Sequence, residues 1–491
     1  MSKKSAEVIV VRDVYVSHEG PNFYLKEDDV GHSVNIGQEM LHEHHEASGN
    51  DGSKSAAHEE TSLFMAENTT PHLISDLMER ICNHDNLNKA LRKVQANKGA
   101  AGIDKMNVKT LRDWLETHQE NLIQSLLNGS FNPSPVKGVH IPKPNGGTRQ
   151  LGIPTVVDRF VQQAILQIIE PLFDLHFSDS SFGFRPQRSA HNALEQASKF
   201  VSEGSGYCVD IDLEKFFDKV NHDMLMARVA RRIKDKRLLK LIRAFLNAGI
   251  MENGVLSKRE EGTPQGGPLS PILSNILLDD LDKELEKRKH KFVRYADDCN
   301  IYVKSKDAAE RVLKSVTKWI ESKLKLKVNK EKSAAGAVCT RKFLGYKILQ
   351  DGKLAIAPQS LKRFKQKVIA KTKRRTPQTL QSFIDSLNPL IRGWSQYFRM
   401  VSGMRKFTEL DGWIRRRLRA IRLQQCKRKF TTAQFLINLG GNPKAIWKAV
   451  KSGKGRWNLS HSLPVGEAMN NAWFKSIGLI SLEQQILKLK R

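Results

Sequence analysis

The stretch Phe292-Val293-Arg294-Tyr295-Ala296-Asp297-Asp298-Cys299-Asn300-Ile301-Tyr302-Val303 decides how this chain is read. Two β-prone apolar runs flank two adjacent carboxylates, the pattern of two strands joined by a tight turn with the acids at its tip. Adjacent aspartates repel unless a positive charge sits between them, and a divalent cation is the strongest such partner. Asp is also a common turn residue, so the turn alone fits a plain polar hairpin. A second acidic stretch tips the balance. In Tyr207-Cys208-Val209-Asp210-Ile211-Asp212-Leu213-Glu214-Lys215-Phe216-Phe217-Asp218, the apolar Tyr207, Val209 and Ile211 alternate with the acids. That places Asp210 and Asp212 on one face of a strand, ahead of a helical turn begun by Phe216-Phe217. Two-metal phosphoryl transfer requires acids from separate elements to meet around Mg²⁺, a cation that prefers oxygen ligands.

Charge narrows the partner. The 491 residues carry a formal net charge of +29. Length allows two to four domains, and the excess points to a polyanion. Nucleic acid is favoured over a membrane surface, because no lipidation signal, amphipathic anchor or long apolar run is present. The N-terminus lacks a signal peptide's apolar core, and the five scattered cysteines form no CxxC. Both features fit a reducing cytoplasm and argue against a zinc ribbon or a disulfide framework. Residues 1–60 stand apart, with 12 Asp/Glu against 5 Lys/Arg, so the rest of the chain carries 29 + 7 = +36. This segment reads as an acidic appendage, partly disordered or docked on the basic body, and its His42-Glu43-His44-His45-Glu46 reads as a solvated polar linker.

Residues from about 69 take a helical period, with Leu73, Leu77 and Ile81 on one face. After the loop Asn97–Asp104, Val136–Lys143 and Thr148–Pro154 read as a strand pair around the turn Pro144-Asn145-Gly146-Gly147. Lys143 and Arg149 flank that turn and can clamp a triphosphate, or be two more of many surface cations. Asp158–Asp174 reads as a helix. Ser181–Ser189 places Arg185 and Arg188 near a helix start, either as anion contacts or as solvated arginines. Gly262–Pro271 precedes a helix over 272–285. Its Gly266-Gly267 lets a backbone approach closely, which suits a base pair over the loop or a simple helix-capping turn.

In this order, the acidic strand with its phenylalanines, the Pro-Gln-Gly loop and the Tyr-Ala-Asp-Asp hairpin resemble the palm of a reverse transcriptase. The subtype resembles the group II intron-encoded reverse transcriptase/maturase, in its bacterial form without a nuclease module. The signatures that carry this are Asn97–Asp104, Leu151-Gly152-Ile153-Pro154-Thr155 with Asp158-Arg159, Ser181–Ser189, Asp212–His222, Gly262–Pro271, Tyr295–Asp298 and Phe343-Leu344-Gly345-Tyr346. The likeness runs from about residue 70 to the C-terminus.

The resemblance implies an α+β right-hand polymerase with an antiparallel palm sheet, a helical thumb and a basic tail domain. It implies Asp212, Asp297 and Asp298 as the catalytic, metal-binding acids, with the Leu213 carbonyl in the metal shell and two Mg²⁺ ions, Mn²⁺ being a substitute. Asp210 falls two residues before the family's first acid and remains a neighbour. Phe217 takes the place of the aromatic that screens the sugar 2′-hydroxyl, and Gln265 and Gly266 lie along the nascent pair. Lys143 and Arg149 stand with the nucleotide, Arg185 and Arg188 with template and primer. Phe343, Leu344, Gly345 and Tyr346 hold the primer's 3′ end.

From residue 358 the chain reads as basic helices, with Arg392 on one and Arg415, Arg416, Arg417 and Arg419 facing outward on another. Such a cationic face suits an A-form duplex. Residues 401–491 hold 19 Lys/Arg and 4 Asp/Glu. The tail's Trp447, Trp457 and Trp473 among basic residues fit either single-strand contacts or a small core. The expected domains are an appendage over 1–65, fingers and palm over 66–355, a thumb over 356–430 and a DNA-contact domain over 431–491. The expected function is RNA-directed DNA synthesis, with binding of intron RNA to assist splicing and retrohoming. Expected partners are an RNA template, a DNA primer, dNTPs, group II intron RNA and target DNA, in the cytoplasm and at the nucleoid when DNA-bound, with no membrane. Self-association as a homodimer stays open. Two other readings stand beside it: a domesticated enzyme of DNA repair or phage defence, and a splicing cofactor with a dead palm.

Overall fold

The computed structural model describes residues 76–142, 148–252, 254–257, 261–263, 266–373 and 377–490. The acidic appendage, its histidine-rich segment, Lys143 and Gln265 lie outside the described residues. Two compact units emerge: residues 76–193 with 209–335, and 194–208 with 336–490. Among the described residues no helix is long and apolar enough to cross a membrane.

The first unit opens with three helices, α1 (Leu77–Cys82), α2 (His84–Ala96) and α3 (Leu111–Leu127). Leu77 and Ile81 are fully buried, as their four-residue spacing predicts. Strand β1 (Val136–Pro142) pairs antiparallel with β2 (Thr148–Ile153), with Ile141 opposite Arg149. The long helix α4 (Val156–Asp174) follows; next along the chain come α5 (Ala190–Ser202), most of which belongs to the second unit, then β3 (Tyr207–Ile211), the single turn α6 (Phe216–Lys219), α7 (His222–Val229) and α8 (Lys236–Asn247). Strands β4 (Ile250–Glu252) and β5 (Val255–Ser257) complete a sheet of order β2-β1-β4-β5, in which β1 and β4 run parallel. Helix α9 (Ser270–Lys287) leads into β6 (Lys291–Tyr295) and β7 (Asp298–Val303), which pair antiparallel with Tyr295 opposite Asp298. After α10 (Lys306–Trp319), strand β8 (Ala334–Ala337) closes a second sheet of order β6-β7-β3-β8.

Helix α4 starts where the sequence places a cap. Thr155 Oγ1 accepts from the Asp158 amide at 3.1 Å and donates to Asp158 Oδ2 at 2.7 Å, which also accepts from the Ser134 amide at 3.2 Å. Burial pushes the Asp158 carboxyl up to about 6, against the pull of those hydrogen bonds. The native state therefore holds this proton to higher pH than the unfolded chain, whose carboxyl titrates near ~3.9. Stability is greatest below the lower value and is lost as pH rises through the upper one, by on the order of 3 kcal/mol. Asp158→Asn keeps the acceptor and cannot ionise. Its melting temperature relative to the native chain should climb between pH 4 and 7; a constant difference would show that Asp158 ionises as freely folded as unfolded.

The second unit holds the hairpin β9 (Tyr346–Ile348) and β10 (Leu354–Ile356), and the helices α11 (Pro358–Lys371), α12 (Leu380–Tyr397) and α13 (Arg405–Gln425). Helices α14 (Lys429–Asn438) and α15 (Pro443–Lys451) follow, then four shorter ones to Leu489. The expected boundary at 355 falls inside this unit. Tyr346 is fully buried, its ring centroid 5.8 Å from that of Tyr397 and 4.9 Å from that of Phe398, so the β9–β10 hairpin packs with α12. The expected boundary at 430 is also bridged. Helix α13 is stapled to the tail by Arg416 over Trp457 (4.2 Å), Arg419 over Phe474 (5.6 Å) and Arg422 over Phe435 (4.3 Å).

Candidate active site

The two acidic stretches lie on adjacent strands of one sheet, β3 and β7. Asp212 follows β3 directly and is 5% exposed. Its main chain is held by the segment 327–333. The Asp212 amide donates to Ser333 Oγ at 2.9 Å, and its carbonyl accepts from the Asn329 amide at 2.8 Å. Leu213 bridges to Val328, and the Glu214 amide donates to the Lys327 carbonyl at 2.8 Å. On β7, Asp298 is buried and Asp297 half-buried at the turn. The buried Cys299 thiol is pushed up by burial first, then by the negative charges of Asp282, Asp210 and Asp298, with Arg294 opposing.

Among the described residues no three His, Cys, Asp or Glu side chains are gathered closely enough to hold a metal ion. Like charges do not converge without a cation between them. A cation is present nonetheless: Lys332 Nζ stands 3.5 Å from Asp212 Oδ2. The carboxylates of Asp212, Asp297 and Asp298 are oxygen donors of the kind Mg²⁺ takes, and the lysine marks where positive charge is favoured beside Asp212. Lys332 is 65% exposed, so its ion pair is worth at most about 1 kcal/mol. Lys332→Ala should therefore leave thermal unfolding almost unchanged. By removing a competing cation it should also lower the Mn²⁺ concentration that half-saturates the protein in a titration followed by electron paramagnetic resonance. An unchanged midpoint would show that the ammonium does not compete for the metal's position.

Phe217 is 6% exposed and meets Phe216 edge-on at 5.2 Å. Its carbonyl accepts from the Thr263 amide at 2.6 Å. Gly266, at φ +134°, is placed so that a Cβ would meet the Gly152 carbonyl oxygen at 2.5 Å, and one on Gly267 would meet Gln162 Oε1 at 2.3 Å. This glycine pair therefore accommodates the protein's own chain, where the sequence suggested room for a base pair. Arg149 lies half-buried on β2.

Two arginines expected to contact nucleic acid are engaged with the protein's own chain. Arg185 is 8% exposed and makes four hydrogen bonds, to the side chain and carbonyl of Asp174 and to the carbonyls of Ser178 and Ser181. Arg188 grips Asp179 through its carboxylate at 2.7 Å and its carbonyl at 2.6 Å. Both guanidiniums brace the loop ahead of α5; the buried Arg185 must find its acceptors within the protein, whereas Arg188 is half-buried and pairs with an exposed Asp179. The outward face expected on α13 is likewise partly turned inward. Arg416 donates to the Trp457 carbonyl at 3.4 Å, and Arg419 donates to the Met469 carbonyl at 2.9 and 2.7 Å. Burial brings the Arg419 pKa down to about 10, with the Arg415 charge adding to the shift. Arg415 is half-buried, and Arg392 on α12 is exposed.

Phe343, Leu344, Gly345 and Tyr346 form a two-residue hairpin turn, the Phe343 and Tyr346 main chains exchanging both hydrogen bonds at 2.9 Å. Leu344 and Gly345 both have positive φ, +48° and +79°. The turn is buried, and Tyr397 Oη donates to the Leu344 carbonyl at 2.7 Å while Ser360 Oγ donates to that of Gly345 at 2.9 Å. Its side chains brace the second unit and are not displayed to a primer. Lys332, Ser333 and Tyr397 were not singled out in the sequence; each acts through a contact made only by the fold.

A family model described as reverse transcriptase (RNA-dependent DNA polymerase) matches residues 141–348, and one described as the group II intron, maturase-specific domain matches 361–436. Protein YkfC of Escherichia coli (strain K12) is 33% identical over 324 residues, 57% of this chain and 85% of that protein. The chain belongs to the group II intron-encoded reverse transcriptase/maturase family. As such a reverse transcriptase/maturase, it has Asp212, Phe217, Gly266, Asp297 and Asp298 within the first matched stretch and Arg392, Arg415, Arg416 and Arg419 within the second. Group II intron-encoded protein LtrA of Lactococcus lactis subsp. cremoris is 39% identical over 206 residues, 42% of this chain and 34% of that protein, so the match spans about a third of it. A chain of a solved partial Cas6-RT-Cas1–Cas2 complex is similar over 50% of this chain and 42% of that one, with 26% identity and a TM-score of 0.33. The enzyme class of this reverse transcriptase/maturase is RNA-directed DNA polymerase.

Proposed function

We propose that this chain extends a DNA primer on an RNA template, its 3′-hydroxyl attacking the α-phosphate of a dNTP with release of pyrophosphate. The observation that carries this is Asp212, buried at the end of β3 beside the strand that begins with Asp298. Asp212, Asp297 and Asp298, with the Leu213 carbonyl, would hold the divalent cations. When bound, two Mg²⁺ ions supply charge neutralisation at the attacking and leaving oxygens. The protein's own part is to fix those carboxylates on a rigid sheet and to screen the sugar with Phe217. Lys332 balances Asp212 until substrate and metal arrive. The incoming triphosphate brings the remaining oxygens, which fits a site whose acids are not closed on one another beforehand.

The maturase half of the reading is binding of intron RNA, with target DNA reached during retrohoming, which brings the protein to the nucleoid. Its support is the cationic second unit, with Arg392 exposed and Lys362 and Lys365 exposed on α11. The acids of the palm are all present, so a splicing cofactor without catalysis is not favoured.

Primer extension tests the polymerase reading. Full-length protein with an RNA template, a DNA primer, dNTPs and Mg²⁺ should yield labelled cDNA, and Asp297→Ala/Asp298→Ala should yield none. A folded wild-type protein that makes no DNA with Mg²⁺ or Mn²⁺ would leave only the binding role.

A further inference from the structure

Arg294 looks like a misfit in the sequence, a cation inside an apolar strand. It is completely buried, and so is its partner Asp282 on α9. An ion this deep is tolerated only if every donor finds an acceptor. All five do. Nε and Nη2 bond the two Asp282 oxygens at 2.7 and 2.5 Å. Nη2 also donates to Ser181 Oγ at 2.7 Å, and Nη1 to Asn275 Oδ1 at 2.9 Å. The fifth bond runs from Nη1 to the carbonyl of Ala296 at 2.9 Å.

That last contact reaches the turn that presents Asp297 and Asp298. Ala296 has φ +58°, a left-handed conformation that costs an L-residue roughly 1 kcal/mol or more. A turn in this state needs outside support to stay there. Support comes from a second side as well. Gly183 lies so close that a Cβ on it would fall 2.2 Å from the Ala296 nitrogen, and its carbonyl is tied by Asn275 Nδ2 at 2.8 Å. Asn275 thus links the guanidinium to the loop that backs the turn. The main chain adds two bonds, from the Arg294 amide to the Ser180 carbonyl (2.8 Å) and from the Phe182 amide to the Arg294 carbonyl (2.9 Å). An ion pair serving stability alone would not need to hold the turn's carbonyl.

We propose that Arg294 is the positioning residue of the Tyr295–Asp298 turn: anchored by Asp282 and Asn275, it fixes the Ala296 carbonyl and so the direction in which Asp297 and Asp298 leave the turn. The catalytic meaning of that direction rests on the polymerase reading; the clamp itself does not.

Two full-length variants test it. Arg294→Met/Asp282→Leu replaces the buried pair with apolar groups of similar size, an exchange that is often neutral or stabilising for a fold. Arg294→Lys keeps a charge for Asp282 but has no planar fork to reach Asn275 and Ala296 together. In each folded variant, hydrogen exchange at the Asp297, Asp298 and Cys299 amides should accelerate. The kcat for nucleotide addition should fall about 10²-fold, as expected for misplaced catalytic groups, while KM for dNTP moves less than about threefold. The double variant leaves three buried acceptors besides the ion pair unserved and should melt lower; assayed well below its melting temperature it should still show the loss, which a purely stabilising pair would not produce. Wild-type exchange rates and kcat in the folded variants would overturn the proposal; if the double variant fails to fold, Arg294→Lys decides. If the wild type itself makes no DNA, the polymerase reading fails, and the exchange rates alone uphold or overturn the clamp.

Discussion

Asp212→Asn should abolish DNA synthesis, by on the order of 10³-fold or about 4 kcal/mol of lost transition-state stabilisation, without unfolding the protein. The substitution is nearly isosteric. The bonds that fix this position, to Ser333, Asn329 and Lys327, involve the main chain of residues 212–214 and survive it. The lost partner, Lys332, is exposed and readily resolvated. What disappears is one negative charge at the end of β3, the strand next to β7. Asp210→Asn is the informative companion. It removes an equal charge two residues earlier, within β3 itself, at a position the family pattern does not use, and should cost less than about tenfold. Primer extension under single-turnover conditions, with melting temperatures as controls, reads both. Equal losses would mean that field alone matters; a larger loss at Asp210 would shift the catalytic acid to that residue.

The hairpin was legible because a period of two has few alternatives once a turn is marked, and Tyr295 does pair with Asp298. The strand that ends just before Asp212 and the helices 156–174, 270–287 and 405–425 were legible for the same kind of reason. Apolar spacing fixes which face is buried, leaving only a few residues at each end to local caps. What sequence could not show is the company a charged side chain keeps. Arg185, Arg188, Arg416 and Arg419 are four arginines in a very basic chain, and solvent or nucleic acid is the natural expectation for each. In the fold they close loops and staple helices, because local geometry sets acceptors around them that no spacing reveals. Lys332 meets Asp212 across 120 positions of sequence. Gly266 was read correctly as a site of close approach, but the approaching group is the carbonyl of Gly152.

The same point alters how the second unit meets RNA. Each guanidinium lying over an aromatic face contributes roughly 0.5–2 kcal/mol, more when desolvated. Arg416, Arg419 and Arg422 thus hold the tail on α13, and their substitution would disturb packing before it disturbed binding. Exposed cations on the other helices, such as Arg392 and Lys362, are the ones whose replacement should weaken RNA binding and flatten its salt dependence without a change in melting temperature.

Phe217→Val should relax sugar selection by about 10²-fold, or roughly 2.7 kcal/mol, in the ratio of kcat/KM for dNTP over rNTP. A ring excludes a hydroxyl only if it cannot retreat, and here the segment 217–222 is tied at three points to Gly262 and Thr263. The Phe217 carbonyl accepts from Thr263 and the Val220 carbonyl from Gly262 at 2.7 Å, while His222 Nε2 lies 2.6 Å from the Gly262 carbonyl. Gly262, at φ +88°, has no room for a Cβ, which would stand 2.7 Å from the Phe217 oxygen. The ring is also wedged against Phe216, so a 2′-hydroxyl brought against it would meet a packed surface, and overpacking such a surface costs on the order of 1–3 kcal/mol. Valine withdraws the ring and keeps the backbone. Phe216→Leu is the control: at 2% exposure Phe216 is a core residue, so its loss should lower the melting temperature and leave the sugar ratio alone. If instead Phe216→Leu relaxes the ratio and Phe217→Val does not, the screening ring is Phe216, and the assignment made from motif position is one residue out.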